Sequence, residues 1–175
     1  MAEVAPAPVA VAEVKALLRI ATSEEDALIA GFVRSAAASC EAFIGRALIV
    51  REVAETIAAT GTWTRLAAAP VRSIDTVAAL SADGGEVALA APDYAIDVDA
   101  AGEGWVRVPW RGTSGRAAVT FSAGLAEDWN GVPEPLRQGI ARLAAHLYAA
   151  RGEHEGPPPA SVAALWRPWR RLRLG

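Results

Sequence analysis

The sequence predicts an α+β fold: a small helical bundle with an inserted antiparallel β lobe and an extended C-terminal tail. Three observations lead there. Apolar residues recur at the helical period near both ends of the chain, over residues 11–47 and 131–152. Between them, over residues 48–124, the pattern breaks into short runs rich in branched and aromatic residues, separated by Gly, Pro and Asp. From residue 153 to 175, the stiff, proline-rich EHEGPPPA leads into SVAALWRPWRRLRLG, where Pro168 limits any helix.

The elements follow in order. MAEVAPAPVA, residues 1–10, is small and proline-spaced and reads as a flexible arm. A first short helix is expected over VAEVKALLRI. TSEED then offers Thr22 or Ser23 as N-cap with Glu25 or Asp26 three residues on, and carboxylates suit the positive end of the helix they open. In that helix Leu28, Phe32, Ala36, Ser39 or Cys40 and Phe43, backed by Ile29, Val33 and Ile44, recur at the helical spacing. Gly45 is placed to end it.

The strand candidates are LIVREVAETI, TWTRLA, SIDTVAAL, EVALA, DYAIDVD, GWVRVPW and AAVTFSAG. ADGGE reads as a hairpin turn, and RGTSGRA as a flexible hairpin between the last two strands. Helix returns in VPEPLRQGIARLAAHLYAARG. It opens on Pro133 or Pro135, lines one face with Leu136, Ile140, Leu143, Ala144 and Leu147, and stops at Gly152. This helix should pack against EEDALIAGFV.

Composition narrows the function. Hydrophobic residues make up 53% of the chain, ample for a core, and much of that is alanine. No run approaches the roughly 18 uninterrupted apolar residues of a spanning helix, so no membrane is expected as a partner. Cys40, the one cysteine, has no internal disulfide partner, and no charged segment followed by an apolar run opens the chain; a cytosolic origin is the expectation.

Catalytic motifs are sparse. His146 and His154 are eight residues apart, which is neither the i, i+4 pair of a zinc helix nor a finger spacing. Cys40 has no histidine tied to it in sequence and reads as a small buried hydrophobe. RGTSGRA lacks the Gly-x-Ser-x-Gly spacing of a nucleophile elbow. Asp93, Asp97 and Asp99 fall at even spacings on one side of a strand, where carboxylates suit a divalent ion or acid–base work; a solvated strand face explains them equally well. No phosphate-binding loop or dinucleotide fingerprint occurs. The chain is therefore read as not an enzyme, with no catalytic residue, metal ligand or cofactor assigned.

The tail is the exception. The last ten residues, WRPWRRLRLG, hold two tryptophans and four arginines, and without Arg167, Arg170, Arg171 and Arg173 a formal charge of -3 becomes -7. Arginine would neutralise phosphates and tryptophan would stack on unpaired bases, so a nucleic-acid-binding accessory protein is one reading. Tryptophan and arginine are also the residues most enriched at protein hot spots, which makes a protein partner the better reading.

The two helical ends carry a more specific pattern. VKALLRIATSEEDALIAGFVRSAAASCEAFIGRALI resembles the opening of the head-tail connector, or adaptor, proteins of long-tailed bacteriophages and gene transfer agents. That family shows a V-K-x-x-L-R-I segment, an E-D-x-x-L helix start and a T-G-R ending, where Ile44 replaces the threonine. VTFSAGLAEDWNGVPEPLRQGIARLAAHLYAARG is similar to its A-G-Y turn, V-P-x-x-[IL]-x-Q-[AG]-I helix and H-x-Y-x-x-R ending, with Leu125 in place of the tyrosine. PPPASVAALWRPWRRLRL resembles its tail.

The resemblance implies a non-enzymatic ring subunit, twelve copies matching the portal's symmetry, at the head–tail interface of a phage-like particle assembled in the bacterial cytoplasm. Its partners would be the portal protein, neighbouring copies of itself, the next tail-side (stopper) protein, and double-stranded DNA passing through without specific binding. On this reading the tail from about Ser161 to Leu174 is disordered until it docks on the portal. Val162, Leu165, Trp166, Trp169 and Leu172 would be the apolar contacts, and Arg167, Arg170, Arg171 and Arg173 the charged ones.

Overall fold

A computed structural model describes residues 8–109, 115–150 and 156–171. These form two compact units: Val50–Leu125, and the chain up to Ile49 together with the chain from Ala126. Helices and antiparallel sheets coexist, as the sequence predicts.

The helical unit contains α1 (Pro8–Leu18), α2 (Asp26–Ile44), α3 (Glu134–Ala149) and α4 (Ala160–Trp166). The expected arm is therefore helical from Pro8, because a proline at the first helical position gives up no hydrogen bond and Ala10 and Val14 are buried one turn apart. Residues 1–7 lie outside the described residues. α1 ends in a Schellman arrangement: the amide of Ile20 donates to the Lys15 carbonyl at 3.0 Å and that of Arg19 to the Ala16 carbonyl at 3.3 Å, with Arg19 in the left-handed region at φ 58°.

α2 starts two or three residues later than the capping pattern suggests. Glu25 occupies the N-cap without a side-chain cap bond, and neither Thr22 nor Ser23 caps the helix. The carboxylates have other partners: Asp26 Oδ1 accepts from Lys15 Nζ at 2.6 Å, and Glu25 Oε2 accepts from the Tyr148 hydroxyl at 2.6 Å. The buried stripe is Ile29, Val33, Ala36, Cys40 and Ile44, one position round from the leading set, so Leu28 is 52% exposed. Gly45 ends the helix at φ 68°, as its position implies. By length and composition α2 could also cross a membrane, but here its stripe is buried among α1, α3 and α4 and Arg34 stands exposed.

α3 carries Pro133 at its N-cap and Pro135 in its first turn, and it buries Leu136, Gly139, Ile140, Leu143 and Ala144 in a unit where it packs against α1, α2 and α4. Gly152, the expected stop, lies outside the described residues. A bridge between Ile49 and Ala126, with the Ala126 amide donating to Leu48 at 3.0 Å, joins the two halves of this unit.

The other unit is two antiparallel sheets. One has the order β1 (Arg51–Ala58), β7 (Arg116–Ala123), β3 (Val71–Leu80), β4 (Glu86–Ala88); the other runs β2 (Thr64–Arg65), β6 (Gly104–Arg107), β5 (Ala95–Val98). All seven strand candidates are strands. One core serves both sheets, with Ile57, Val77, Val119 and Phe121 from the first, Val106 from the second, and Leu66 just after β2. Its alternation is clearest on β7, whose odd-numbered residues Ala117, Val119, Phe121 and Ala123 are buried.

RGTSGRA does not make a hairpin. β6 pairs with β2 and β5 while β7 pairs with β1 and β3, so the segment crosses between sheets; residues 111–114 of it lie outside the described residues. ADGGE does turn β3 into β4, with Gly84 at φ 87°.

Candidate functional site

The Trp/Arg tail is the candidate site, and its inner face is built into the helical unit. Its seven-residue helix α4 leads into a 3-10 turn, Arg167–Trp169. Pro168 sits inside that turn, where φ near its fixed value is already required. The expectation that this segment is unstructured without a partner is thus corrected as far as Arg171.

The reason is Trp166. Its side chain is fully buried, its Nε1 donates to the Leu136 carbonyl at 3.4 Å, and its ring tilts against Phe43 at 5.7 Å. The space exists because residue 139 is glycine: a Cβ there would lie 2.1 Å from Trp166 Nε1. Val162, one turn earlier, is also buried. Farther along, the Arg171 amide donates to the Ile44 carbonyl at 2.7 Å, satisfying the C-terminal end of α2, and Arg171 itself is largely buried.

The nine tail residues therefore divide. Val162, Trp166 and Arg171 are committed to their own subunit. Arg167 and Arg170 are exposed, and Leu165 and Trp169 are half-buried. The Arg170 guanidinium lies 5.4 Å over the Phe43 ring, which holds one cation at the surface. Leu172 and Arg173 lie outside the described residues. Among the described tail residues the outward chemistry is a strip of two exposed arginines with a half-buried tryptophan and a half-buried leucine.

The remaining candidates do not converge. Cys40 is buried on the core stripe of α2, and burial, followed by the neighbouring Glu41 carboxylate, pushes its thiol well above the usual range, away from the reactive thiolate. His146 lies in the last turn of α3, and His154 lies outside the described residues. The three aspartates do not share a strand face. Asp93 ends a 3-10 turn, Asp97 is on β5, and Asp99 shapes the β5–β6 turn. Asp99 Oδ1 accepts from the amides of Ala101 and Glu103 at 2.9 Å each, and its Oδ2 from Trp105 Nε1 at 3.2 Å. Those bonds use the acceptors a metal would need. Among the described residues no group of three potential ligands comes together. A depression is lined, among the described residues, by Ser39, Leu143, Leu147, Gly156 and Pro158, none of them titratable.

Sequence reasoning missed Gly139 and Phe43 as parts of this site. Gly139 was visible only as a small residue in a helix, and the signal that could have found it is its cost: glycine in a helix interior is unfavourable by about 1 kcal/mol relative to alanine and calls for a packing reason.

Comparison with known proteins gives three results. A family model for phage gp6-like head-tail connector proteins matches residues 9–76. No curated protein sequence matches the chain. Solved structures match over nearly its whole length. A chain in the neck of an empty gene transfer agent (GTA) particle, computed with C6 symmetry, is 29% identical with a TM-score of 0.80, over 99% of this chain and 94% of that one. A chain in the virion of a native GTA particle is 30% identical with a TM-score of 0.78, over 99% and 96%. A chain in the neck of a native GTA particle computed with C12 symmetry is 29% identical with a TM-score of 0.74, again over 99% and 96%.

Proposed function

This chain belongs to the phage gp6-like head-tail connector family, and from that premise we propose that it is a structural adaptor subunit whose copies form a ring between the portal and the tail-side stopper protein of a phage-like particle. The observation that carries the reading is the end-to-end similarity to chains from particle necks, both units and the tail included. Symmetry of C12 in one of those necks supports twelve copies. Heterologous contacts between identical subunits close into such a ring when the rotation per contact divides the circle. Double-stranded DNA would pass through its centre without specific contacts.

The outward strip of the tail is the proposed portal contact. Arg167 and Arg170 would pair with portal carboxylates or carbonyls, and Trp169 and Leu165 would supply the apolar contact. Val162, Trp166 and Arg171 would act one step back, holding the strip in shape, so that little ordering entropy is lost on docking. Arginine beside tryptophan on a preformed turn is suited to a protein surface that offers acids around an apolar pocket.

The test is native mass spectrometry of the purified chain, alone and mixed with its portal protein. A twelve-copy complex with the portal is expected for the wild type, and Trp169→Ala combined with Arg167→Glu should reduce its occupancy without changing the melting temperature. Undiminished occupancy would remove the strip from the portal contact, and DNA binding by the isolated chain with steep salt dependence would favour the nucleic-acid reading instead. Absence of any portal complex would reject the function itself.

A further inference from the structure

The lobe Val50–Leu125 has two open sides of unlike chemistry. Among the described residues each sheet ends in strands that no further strand pairs: β1 and β4 in the larger sheet, β2 and β5 in the smaller. β4 and β5 are consecutive in the chain, as are β1 and β2, so each connected pair takes one edge from each sheet. Unpaired edges ordinarily carry protection against chance association, such as charge or shortness.

The β4–β5 side is apolar within an acidic surround. Val87, Ile96 and Val98 are 64%, 46% and 42% exposed. Between Ser73 and Val106 the chain carries carboxylates and not one lysine or arginine, and Asp97 on β5 is exposed. The opposite end of the three-stranded sheet reverses this. Trp63, just before β2, is 45% exposed under the Arg107 guanidinium at 5.4 Å. Arg65 shares that outer face, because it pairs with Trp105 while Thr64 pairs with Val106. In the same register Asp97 pairs with Trp105 from the other side, so one row of the sheet runs from a cation on β2, through an indole, to a carboxylate on β5.

We propose that the β5 side of one copy docks on the β2 side of the next, and that this lobe-to-lobe contact is one of the heterologous contacts that closes the ring. The inference rests on the ring reading above. β6 separates Asp97 from Arg107 within a copy, and Arg65 already lies 3.8 Å from its own Glu103 Oε2, so the exposed cation left for a neighbour's Asp97 is Arg107 over Trp63. The contact sets Asp97 on the outer face that Trp63 and Arg107 share, near Arg107, and covers Ile96 and Val98 at the same edge on the opposite face; the opposite charges fix the register and disfavour a like-to-like meeting of two β5 sides. It leaves a β5 side open at one end of any chain of copies and a β2 side at the other, which is the condition for closure.

Cysteine pairs test the geometry. The full chain carrying both Arg65→Cys and Asp97→Cys, assembled with the portal and treated with a short bis-maleimide, is expected to give a ladder of linked species above the dimer, since every copy contributes one of each side. Either single variant should give no ladder; the native Cys40 is buried and stays silent. A second, independent measurement uses charge: Asp97→Arg and Arg107→Asp should each lose the ring while keeping the wild-type circular dichroism spectrum, and an equal mixture of the two should restore rings of alternating copies, because every contact then sets an arginine against an aspartate.

The proposal is overturned if the wild type closes rings on the portal and the double-cysteine chain gives no ladder, or only dimers, or if either charge variant alone still forms full rings, or if their equal mixture forms none. If the wild type itself forms no closed oligomer, the ring reading fails and takes this inference with it.

Discussion

The hydroxyl of Tyr148 donates to Glu25 Oε2 at 2.6 Å, joining residues 123 positions apart, and its ring meets Phe32 edge-on at 6.3 Å. Next to it Lys15 reaches Asp26, also at 2.6 Å. The E-D at the start of α2, the lysine of α1 and the tyrosine of the H-x-Y ending are thus parts of one clamp at the head of α2. Motifs that look unrelated along the chain are neighbours in the helical unit.

Tyr148→Phe should lower stability by about 1.5 kcal/mol, the value of one hydrogen bond to a charged group, and Tyr148→Ala by about 3 kcal/mol because the ring packing goes as well. Urea unfolding followed by circular dichroism measures both. A neutral Tyr148→Phe would mean that the hydroxyl is equally well served by water.

Gly139→Ala places a methyl group where Trp166 Nε1 lies. The helix itself gains from alanine, yet overpacking should dominate and cost about 1–3 kcal/mol net. Tryptophan emission should shift to the red as the indole is displaced. Trp166→Ala should cost about 3–5 kcal/mol. Because α4 covers α3 in this way, cutting the chain after Pro159 would damage the helical unit as well as any portal contact, and an unchanged melting temperature for Gly139→Ala would contradict the placement of the indole.

Arg19 holds a left-handed conformation at the end of α1 that glycine adopts without strain. Arg19→Gly should therefore stabilise the protein by about 1 kcal/mol, against the usual direction for a substitution to glycine. Thermal unfolding decides it, and a loss of stability would show that the side chain contributes more than its backbone strain.

Cys40 predicts a pH dependence. Its thiol is held protonated in the folded state, with its pKa raised above the ordinary 9.0. For a raised pKa the contribution is fully present below the unfolded value and falls away as pH rises past it, since only the unfolded thiol then ionises. Stability should decline above about pH 9 by up to about 1.4 kcal/mol per pH unit from this group, and Cys40→Ala should remove that part of the slope. In native protein the thiol should resist maleimide until the chain unfolds. Rapid native labelling would show the site to be open.

Local pattern made much of the fold legible. The seven strands, the long α2 with its glycine stop, and the proline-opened α3 all follow from periodicity and from residues whose backbone preferences are intrinsic, such as Gly45, Gly84 and Pro135. What local pattern could not supply was pairing. RGTSGRA has the composition of a hairpin whichever strands it joins, and only the sheet order reveals a crossover. Thr22 and Ser23 had the composition of caps, but the adjacent carboxylates gain more from Lys15 and Tyr148, which are close only after folding.

The candidate site shows the same division. The sequence by itself determined that cations and indoles are concentrated at one end of an otherwise acidic chain, because composition is a property of the chain alone. Which of them face outward was decided by tertiary structure. A missing side chain at Gly139 leaves no periodic signal, yet it opens the space that takes Trp166 inward, leaving Arg167, Trp169 and Arg170 to form the surface. The same is true of the lobe: a run of carboxylates without a cation can be read directly, but that one strand of it, β5, forms the end of a sheet whose other end carries Trp63 and Arg65 is a consequence of strand order, which depends on hydrogen bonds between residues far apart in sequence.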